Sequence, residues 1–122
     1  MTKRKVLLAD DDPGLRRLVG TTLGTEDFDL FHAADGDEAI EVAREEHPVL
    51  VLLDVNMPKK NGFEVCRILK ADPDTQDIKV VMLTARGNEA DRAQGREAGA
   101  DEYFIKPFSP VQLLDKVYAL LE

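Results

Sequence analysis

The sequence predicts an α/β domain in which five parallel strands form one sheet with helices on both faces. Short apolar runs that are typical of strands alternate five times with segments in which apolar residues recur at helical spacing. The third run, Val49–Leu53, has no polar face, so both sides of this strand should be covered by other elements. We therefore expect a doubly wound sheet with the strand order 2-1-3-4-5 and the third strand at its centre.

Each strand is predicted from a short apolar run bounded by turn or cap residues. The five strands are Lys5–Ala9, Phe28–Ala33, Val49–Asp54, Lys79–Leu83 and Glu102–Ile105. The first helix should begin at Asp12-Pro13, because an aspartate cap followed by proline is a favourable helix start. Its helical spacing is kept by Leu15, Leu18, Val19 and Leu23.

The other four helices are predicted from the same kind of spacing and from their stop signals. The second is marked by Ala39, Ile40 and Ala43 and ends before Pro48, and the third begins at Gly62. The fourth runs from about Asn88 to Ala98, where Gly99 is a standard stop, and only Ala90, Ala93 and Ala98 are expected to face the core. The fifth begins at Ser109-Pro110, with a buried stripe of Leu113, Leu114, Val117, Leu120 and Leu121.

Composition limits the classes of function. The 122 residues, 43% apolar and 33% charged, predict one globular domain spanning 1–122 with no effector domain in this chain. The net charge of −8 argues against direct binding of nucleic-acid phosphates. No apolar run approaches a membrane span, and no signal-peptide core follows Met1, so we predict a cytoplasmic protein. The single cysteine, Cys66, is expected to be a buried, reduced thiol.

The residues that end the strands carry the functional pattern. Strand one ends in Asp10-Asp11, strand three in Asp54, strand four in Thr84 and strand five in Lys106. The carboxyl ends of parallel strands lie on one edge of the sheet. If strands one and three are neighbours, the three carboxylates should converge at the point where the strand order reverses, which is where such sheets bind ligands.

Converging carboxylates require compensation. Two carboxylates about 4 Å apart repel by roughly 4 kcal/mol at an effective dielectric constant near 20, so one must be protonated or a cation must bind. Carboxylate oxygens with a lysine nearby suit Mg²⁺, which prefers a few carboxylates together with water and phosphate oxygens. Asp54 beside such an ion, Lys106 and Thr84 would form a phosphoryl-transfer site with Asp54 as the nucleophile.

Each of these residues also has a plainer explanation. Thr84 could cap the fourth helix, Lys106 could be a solvated strand-end lysine, and Asp54 could solvate a loop. Separately, these explanations are at least as good as a role in a site. Together, four suitable residue types at one sheet edge are difficult to obtain by chance.

Several motifs extend this pattern over nearly the whole chain. They are Val6-Leu7-Leu8-Ala9-Asp10-Asp11-Asp12, Leu53-Asp54-Val55-Asn56-Met57-Pro58 with Asn61-Gly62, Met82-Leu83-Thr84-Ala85, and Gly99-Ala100-Asp101-Glu102-Tyr103 running into Lys106-Pro107-Phe108. In these motifs the chain closely resembles the receiver domain of bacterial two-component response regulators, which has a flavodoxin-like (βα)5 fold.

The resemblance implies a role for each site residue. Asp54 would accept a phosphoryl group from a sensor histidine kinase, a phosphotransfer protein or a small phosphodonor. Asp11 and Asp54 would ligate Mg²⁺ by side chain, Asn56 by its backbone carbonyl and Asp10 through water. Thr84 would bond the phosphoryl group, Tyr103 would be a switching aromatic, and a cis peptide would precede Pro107. Such a domain is a signalling protein that catalyses its own phosphorylation and dephosphorylation rather than an enzyme with a separate substrate.

The chain departs from the family in a few places. Lys59-Lys60 stand in a loop where the family usually has smaller or apolar residues, which could affect the choice of partner. Asn56 and Arg86 occupy two positions that tune phosphoryl lifetime in the family.

Three other functions share part of this pattern. A haloacid-dehalogenase-type phosphatase places its nucleophile after strand one in an Asp-x-Asp pattern, but here Asp10-Asp11-Asp12 is followed by Pro13-Gly14, without the Thr/Val context of that motif. A flavodoxin-like cofactor carrier shares the topology, but the acidic first loop would repel a flavin phosphate. A third possibility is a degenerate receiver that only docks partners. It is disfavoured by the intact set of Asp11, Asp54, Thr84 and Lys106. Neither His32 nor His47 has the helical context of a phosphotransfer histidine.

The C-terminal third, Thr84 to Pro110, most resembles the receivers of winged-helix transcriptional regulators. In those proteins the surface of helix four, strand five and helix five forms a two-fold dimer held by charge pairs. This chain keeps matching Glu102 and Lys116. It also keeps Arg92, but Gln112 stands where the acidic partner of Arg92 is expected. The resemblance therefore implies a homodimer that phosphorylation promotes, weaker than in proteins with all the pairs.

Overall fold

Strands and helices alternate along the whole described chain. The computed structural model describes residues 3–24, 28–85 and 89–121. Its strands are β1 (Arg4–Ala9), β2 (Phe28–Ala33), β3 (Leu50–Asp54), β4 (Lys79–Thr84) and β5 (Glu102–Ile105). Its helices are α1 (Pro13–Leu23), α2 (Gly36–Glu46), α3 (Gly62–Ala71), α4 (Glu89–Ala98) and α5 (Pro110–Leu121). The predicted elements are confirmed, with strand ends shifted by at most one residue; Asn88, the expected start of helix four, lies outside the described residues.

The sheet has the predicted topology. The strand order is β2-β1-β3-β4-β5, and every pairing is parallel. All five residues of β3 are buried, as expected for a strand covered on both faces. Because β3 pairs with β1 on one side and β4 on the other, its last residue lies between the ends of two neighbouring strands.

Two layers of helices cover the sheet. One apolar cluster joins β-strand side chains to α2 and α3 and to Ala98 of α4, and a second joins them to α1 and α5. Cys66 of α3 is buried in the first cluster as a free thiol, where burial raises its pKa to about 11 and its Sγ donates to the carbonyl oxygen of Ala98 at 3.4 Å. The predicted burial of this free thiol is confirmed.

Two expectations about buried helix faces are wrong. In α5 only Leu113 and Val117 are buried, while Leu114, Leu120 and Leu121 pack at the edge of the second cluster and remain partly exposed. The apolar spacing is that of a helix, but spacing alone does not show how much of each side chain the neighbouring elements cover.

The other correction concerns α4. Ala90 and Ala93 are exposed, and the buried residues of this helix are Gly95 and Ala98. Alanine is too small to reveal from sequence which face of a helix is covered. Since its two buried residues are both small, α4 is held to the sheet by less apolar area than the other helices. No helix within the described ranges is long and apolar enough to cross a membrane.

Candidate functional site

The carboxyl edge of the sheet brings the predicted acidic residues together. Asp10 and Asp11 directly follow β1, and Asp54 is the last residue of β3. One carboxylate oxygen from each of the three lies within 4.8 Å of the others. The register explains this, because Ala9 pairs with Leu53 and the next residues on both strands are the aspartates.

Asp10 is the most constrained of the three. Its side chain is fully buried; Oδ1 accepts the backbone N–H of Asp12 at 2.9 Å, and Oδ2 accepts Lys106 Nζ at 2.9 Å. Its backbone carbonyl accepts Arg16 Nε at 2.9 Å. Asp12 is also the N-cap of α1 and accepts the N–H of Gly14, which confirms its predicted structural role. Helix α1 therefore begins on the residues that hold Asp10.

Lys106 lies between the two buried carboxylates. Its ammonium is 2.9 Å from Asp10 Oδ2 and 3.5 Å from Asp54 Oδ1. Burial by itself lowers the pKa of Lys106, but the hydrogen bond and charge of Asp10, together with Asp54, outweigh burial and raise this pKa. The lysine is therefore a permanent cation at the site. The Lys106-Pro107 peptide is cis, as the resemblance implied.

Asp54 is nearly buried, with 7% of its surface exposed. Burial and then the charge of Asp10 raise the pKa of its carboxyl above the usual range, partly offset by Lys106 and by the backbone N–H of Asn56. That N–H reaches Asp54 Oδ1 at 3.3 Å. The carboxylate is thus oriented from two sides while its negative charge is poorly solvated.

The donor set at this edge fits a hard divalent cation. Asp11 is exposed, whereas Asp10 and Asp54 are buried, so the cluster opens to solvent on the side of Asp11. Carboxylate oxygens this close are favourable ligands for a cation that keeps part of its hydration shell. Asn56 lies two residues beyond Asp54, in the exposed part of the loop between β3 and α3.

Thr84 and Tyr103 form a connected pair beside the acidic cluster. Thr84 is the last residue of β4 and is 3% exposed. The side chains of Thr84 and Tyr103 are hydrogen-bonded, and burial raises the pKa of the tyrosine. The ring of Tyr103 lies over Gly95 of α4. The role of this pair as a switch stays a prediction.

The structure also shows contacts that the sequence did not reveal. Lys106 is closer to Asp10 than to the expected phosphoacceptor, and Arg16 holds the backbone at Asp10. Lys59 and Lys60, which depart from the family pattern, form ion pairs with Asp35 and Asp37. Charge alone indicated that lysines and aspartates were available, but nothing local in the sequence indicated which of them meet.

A doubly wound five-stranded sheet with an acidic, lysine-containing cluster at its carboxyl edge defines the class of flavodoxin-like signalling domains. Within that class the assignment is specific. The chain belongs to the response regulator receiver domain family, which it matches over residues 6–118. This membership sets aside the phosphatase and the flavin carrier as alternatives.

Individual relatives agree with the family. The chain is 45% identical to "Probable transcriptional regulator ycf27" of Cyanophora paradoxa, covering 99% of this chain and 49% of that protein. It is 42% identical to "DNA-binding response regulator MtrA" of Mycolicibacterium smegmatis, covering 98% and 51%. The chain thus spans about half the length of these curated relatives. Their names agree with the resemblance of its C-terminal third to transcriptional regulators.

Solved structures show the same fold. The chemotaxis response regulator CheY4 of Vibrio cholerae superposes with a TM-score of 0.91 at 31% identity, covering 98% of this chain and 99% of that one. The BeF3-activated N-terminal receiver domain of Klebsiella pneumoniae RstA gives 0.88 at 33% identity, with coverages of 98% and 99%.

The electrostatics of Asp54 lead to a stability prediction. Because the folded-state pKa of Asp54 is raised, the folded protein binds this proton more tightly than the unfolded chain does. The ionised carboxylate therefore destabilises the fold above the raised pKa, and this penalty disappears as pH falls below the ordinary aspartate range. Without divalent cations, Asp54→Asn should raise the melting temperature at pH 7 by a few degrees. This rise corresponds to a gain of about 1 kcal/mol in the free energy of unfolding. The gain should shrink toward acid pH.

Asp115→Asn, the same change on an exposed residue of α5, is the control and should have little effect. Equal melting curves for Asp54→Asn and the unmodified protein at pH 7 would contradict the prediction.

Proposed function

We propose that this receiver domain accepts a phosphoryl group on Asp54 in a Mg²⁺-dependent reaction. The donor would be the phosphohistidine of a sensor histidine kinase or phosphotransfer protein, or a small phosphodonor. The observation that carries the proposal is the position of Asp54, nearly buried at the sheet edge, 3.5 Å from the Lys106 ammonium and clustered with Asp10 and Asp11. A structural aspartate would not need this arrangement.

The residues have complementary roles in the transfer. A carboxylate oxygen of Asp54 forms the new bond to phosphorus while the bond from phosphorus to the donor atom breaks, and the electron pair stays on that atom, which is nitrogen in phosphohistidine and phosphoramidate and oxygen in acetyl phosphate. The Asn56 N–H and Lys106 orient the carboxylate before attack. Lys106 and Thr84 would then contact oxygens of the transferred group. Hydrolysis of the acyl phosphate by water restores Asp54, so the domain would catalyse both its own phosphorylation and its dephosphorylation.

The metal proposal follows from the donor set. Asp11 and Asp54 would bind Mg²⁺ through their carboxylates, Asn56 through its backbone carbonyl, and Asp10 through water. When bound, the ion would neutralise charge on the acidic cluster and on the transferring phosphoryl group. The close approach of three carboxylate oxygens, within 4.8 Å, supports this assignment.

For the output we propose a surface formed by α4, β5 and α5. Tyr103 links this surface to Thr84, and weakly anchored α4 can rearrange at small free-energy cost. The surface would form a phosphorylation-promoted homodimer through Arg92, Glu102, Gln112 and Lys116. Within one chain Lys116 already pairs with Glu102 at 3.2 Å, and Gln112 caps α5 together with Ser109. These internal contacts compete with pairing between subunits, which supports a weak dimer.

The names of the relatives extend this proposal to the whole protein. We propose that the domain regulates transcription through a separate DNA-binding domain and does not contact nucleic acid itself, in agreement with its net charge of −8. The cytoplasmic location and the division of the chain into a single receiver domain, 1–122, stay predictions.

The transfer chemistry has a direct test. With Mg²⁺ and acetyl phosphate or phosphoramidate, the protein should gain one phosphoryl group that hydroxylamine removes, because acyl phosphates are cleaved by this nucleophile. Asp54→Asn should abolish the gain, measured by intact mass. Asp77→Asn, at the opposite edge of the sheet just before β4, is the matched control and should leave it unchanged. An Asp54→Asn protein that still takes up the label would show that the acceptor is another residue.

The metal site has a separate test. Excess Mg²⁺ should raise the melting temperature. A bound ion whose free concentration is 100 times its dissociation constant stabilises the fold by about 2.7 kcal/mol. Asp11→Asn should weaken Mg²⁺ binding severalfold in a calorimetric titration, and Asp115→Asn should not. If Asp11→Asn binds Mg²⁺ as tightly as the unmodified protein, the ion is held elsewhere.

The dimer proposal is tested by sedimentation with and without beryllofluoride, which stands in for the phosphoryl group. Activated protein should dimerise weakly. Gln112→Glu should tighten the dimer by up to about fivefold, because it restores an acidic partner for Arg92 and an exposed pair contributes at most about 1 kcal/mol. A protein that stays monomeric at high concentration in both forms would instead favour a receiver that docks a different protein.

A further inference from the structure

The loop between β3 and α3, residues 55–61, is fastened to the start of α2 by two ion pairs. Lys60 Nζ lies 2.6 Å from Asp37 Oδ1, and Lys59 Nζ lies 3.6 Å from Asp35 Oδ2. The hydrogen bond from Lys60 to Asp37 raises the pKa of this lysine. We call these four residues the α2 clamp.

Backbone contacts also hold the loop between β3 and α3 against the start of α2. The N–H of Gly36 donates to the carbonyl oxygen of Pro58 at 3.2 Å. A Cβ at position 36 would lie 2.2 Å from the carbonyl oxygen of Lys60, so the loop can approach α2 only because residue 36 is glycine. Lys59 has φ of 70°, a left-handed conformation that favours glycine and that is maintained here by the surrounding contacts.

The same loop carries the residues that orient the phosphoacceptor. It begins directly after Asp54, and the N–H of Asn56 reaches the Asp54 carboxylate at 3.3 Å. The N–H of Gly62 closes the loop onto the carbonyl oxygen of Val55 at 2.9 Å. Only three residues separate Asn56 from Lys60, so a displacement of the loop at the clamp would be felt at Asn56.

We propose that Lys60, with Asp37 as its main partner, is a positioning residue for the cation site: the α2 clamp holds the loop so that Asn56 can contribute its carbonyl oxygen. This inference rests on the proposed function. Lys59 and Asp35 form the second, longer pair of the same device. The clamp acts through the loop backbone and contacts neither the cation nor the phosphoryl group.

A simpler explanation makes the opposite prediction. If Lys60 acted only through its electric field, its positive charge would disfavour a cation nearby, and its removal would tighten Mg²⁺ binding. Removal of Asp37 would weaken binding by the same logic. If the α2 clamp positions the loop, removing either Lys60 or Asp37 should weaken Mg²⁺ binding. The direction in which Mg²⁺ affinity changes when Lys60 is removed therefore distinguishes the two explanations.

The test measures the Mg²⁺ dissociation constant by titration calorimetry in a double-mutant cycle. Lys60→Met and Asp37→Asn should each raise this constant by about 1.5-fold to fivefold, the range expected for one exposed ion pair. The double variant should have a Mg²⁺ dissociation constant no higher than that of the single variant that binds Mg²⁺ more weakly, since the ion pair can be broken only once. Lys60→Arg keeps the charge and should bind nearly as the unmodified protein does. At saturating Mg²⁺ the rate of phosphorylation by acetyl phosphate should return to near the unmodified rate in all four variants.

The control is Lys5→Met, which removes the same charge from an ion pair with Glu46 at 3.0 Å at the opposite edge of the sheet. It should leave the Mg²⁺ dissociation constant unchanged. Tighter or unchanged binding in Lys60→Met, or equal weakening in Lys5→Met, would overturn the clamp while the unmodified protein still binds Mg²⁺ and accepts the phosphoryl group. Failure of the unmodified protein to do either would overturn the proposed function, and the clamp with it.

Discussion

The repulsion between Asp10 and Asp54 is the constraint on which the rest of the site depends. The two carboxylates follow neighbouring parallel strands whose register places them side by side, and both are buried. At about 4 Å such a pair would repel by roughly 4 kcal/mol at an effective dielectric constant near 20. Lys106 offsets this by lying within 3.5 Å of both, which requires β5 to end at the same edge of the sheet. The arrangement is stable enough to fold and still leaves negative charge for a cation to neutralise.

The same edge connects the site to the proposed output surface. Thr84 ends β4 and bonds Tyr103, whose ring rests on Gly95 of α4. Because α4 buries only Gly95 and Ala98, its attachment to the sheet depends on few apolar contacts. A rearrangement at Thr84 would therefore meet little resistance in the neighbouring helix, whereas α3, with five buried residues including Phe63 and Leu69, is firmly anchored.

Departures from the family lie around the site and leave its central residues unchanged. Lys59 and Lys60 tie the acceptor loop to α2, and Gln112 caps α5 where an acidic residue was expected to pair with Arg92. Arg86 lies outside the described residues. Under the proposals above, Lys59 and Lys60 set how the loop is held, and Gln112 affects how the surface of α4, β5 and α5 meets a partner.

The sequence by itself determined the elements and the residues that meet at the carboxyl edge of the sheet, because both depend on local pattern. Val49–Leu53 indicated a central strand, and the aspartates, threonine and lysine that end the strands had to share one edge once the strands were parallel. Only the tertiary structure decided which atoms meet. The closer partner of Lys106 is Asp10, Lys60 pairs with Asp37 across 23 residues of sequence, and Ala90 and Ala93 face solvent. Periodicity reports on one element at a time, whereas these contacts depend on the register of separate strands and on the packing of a loop against a distant helix.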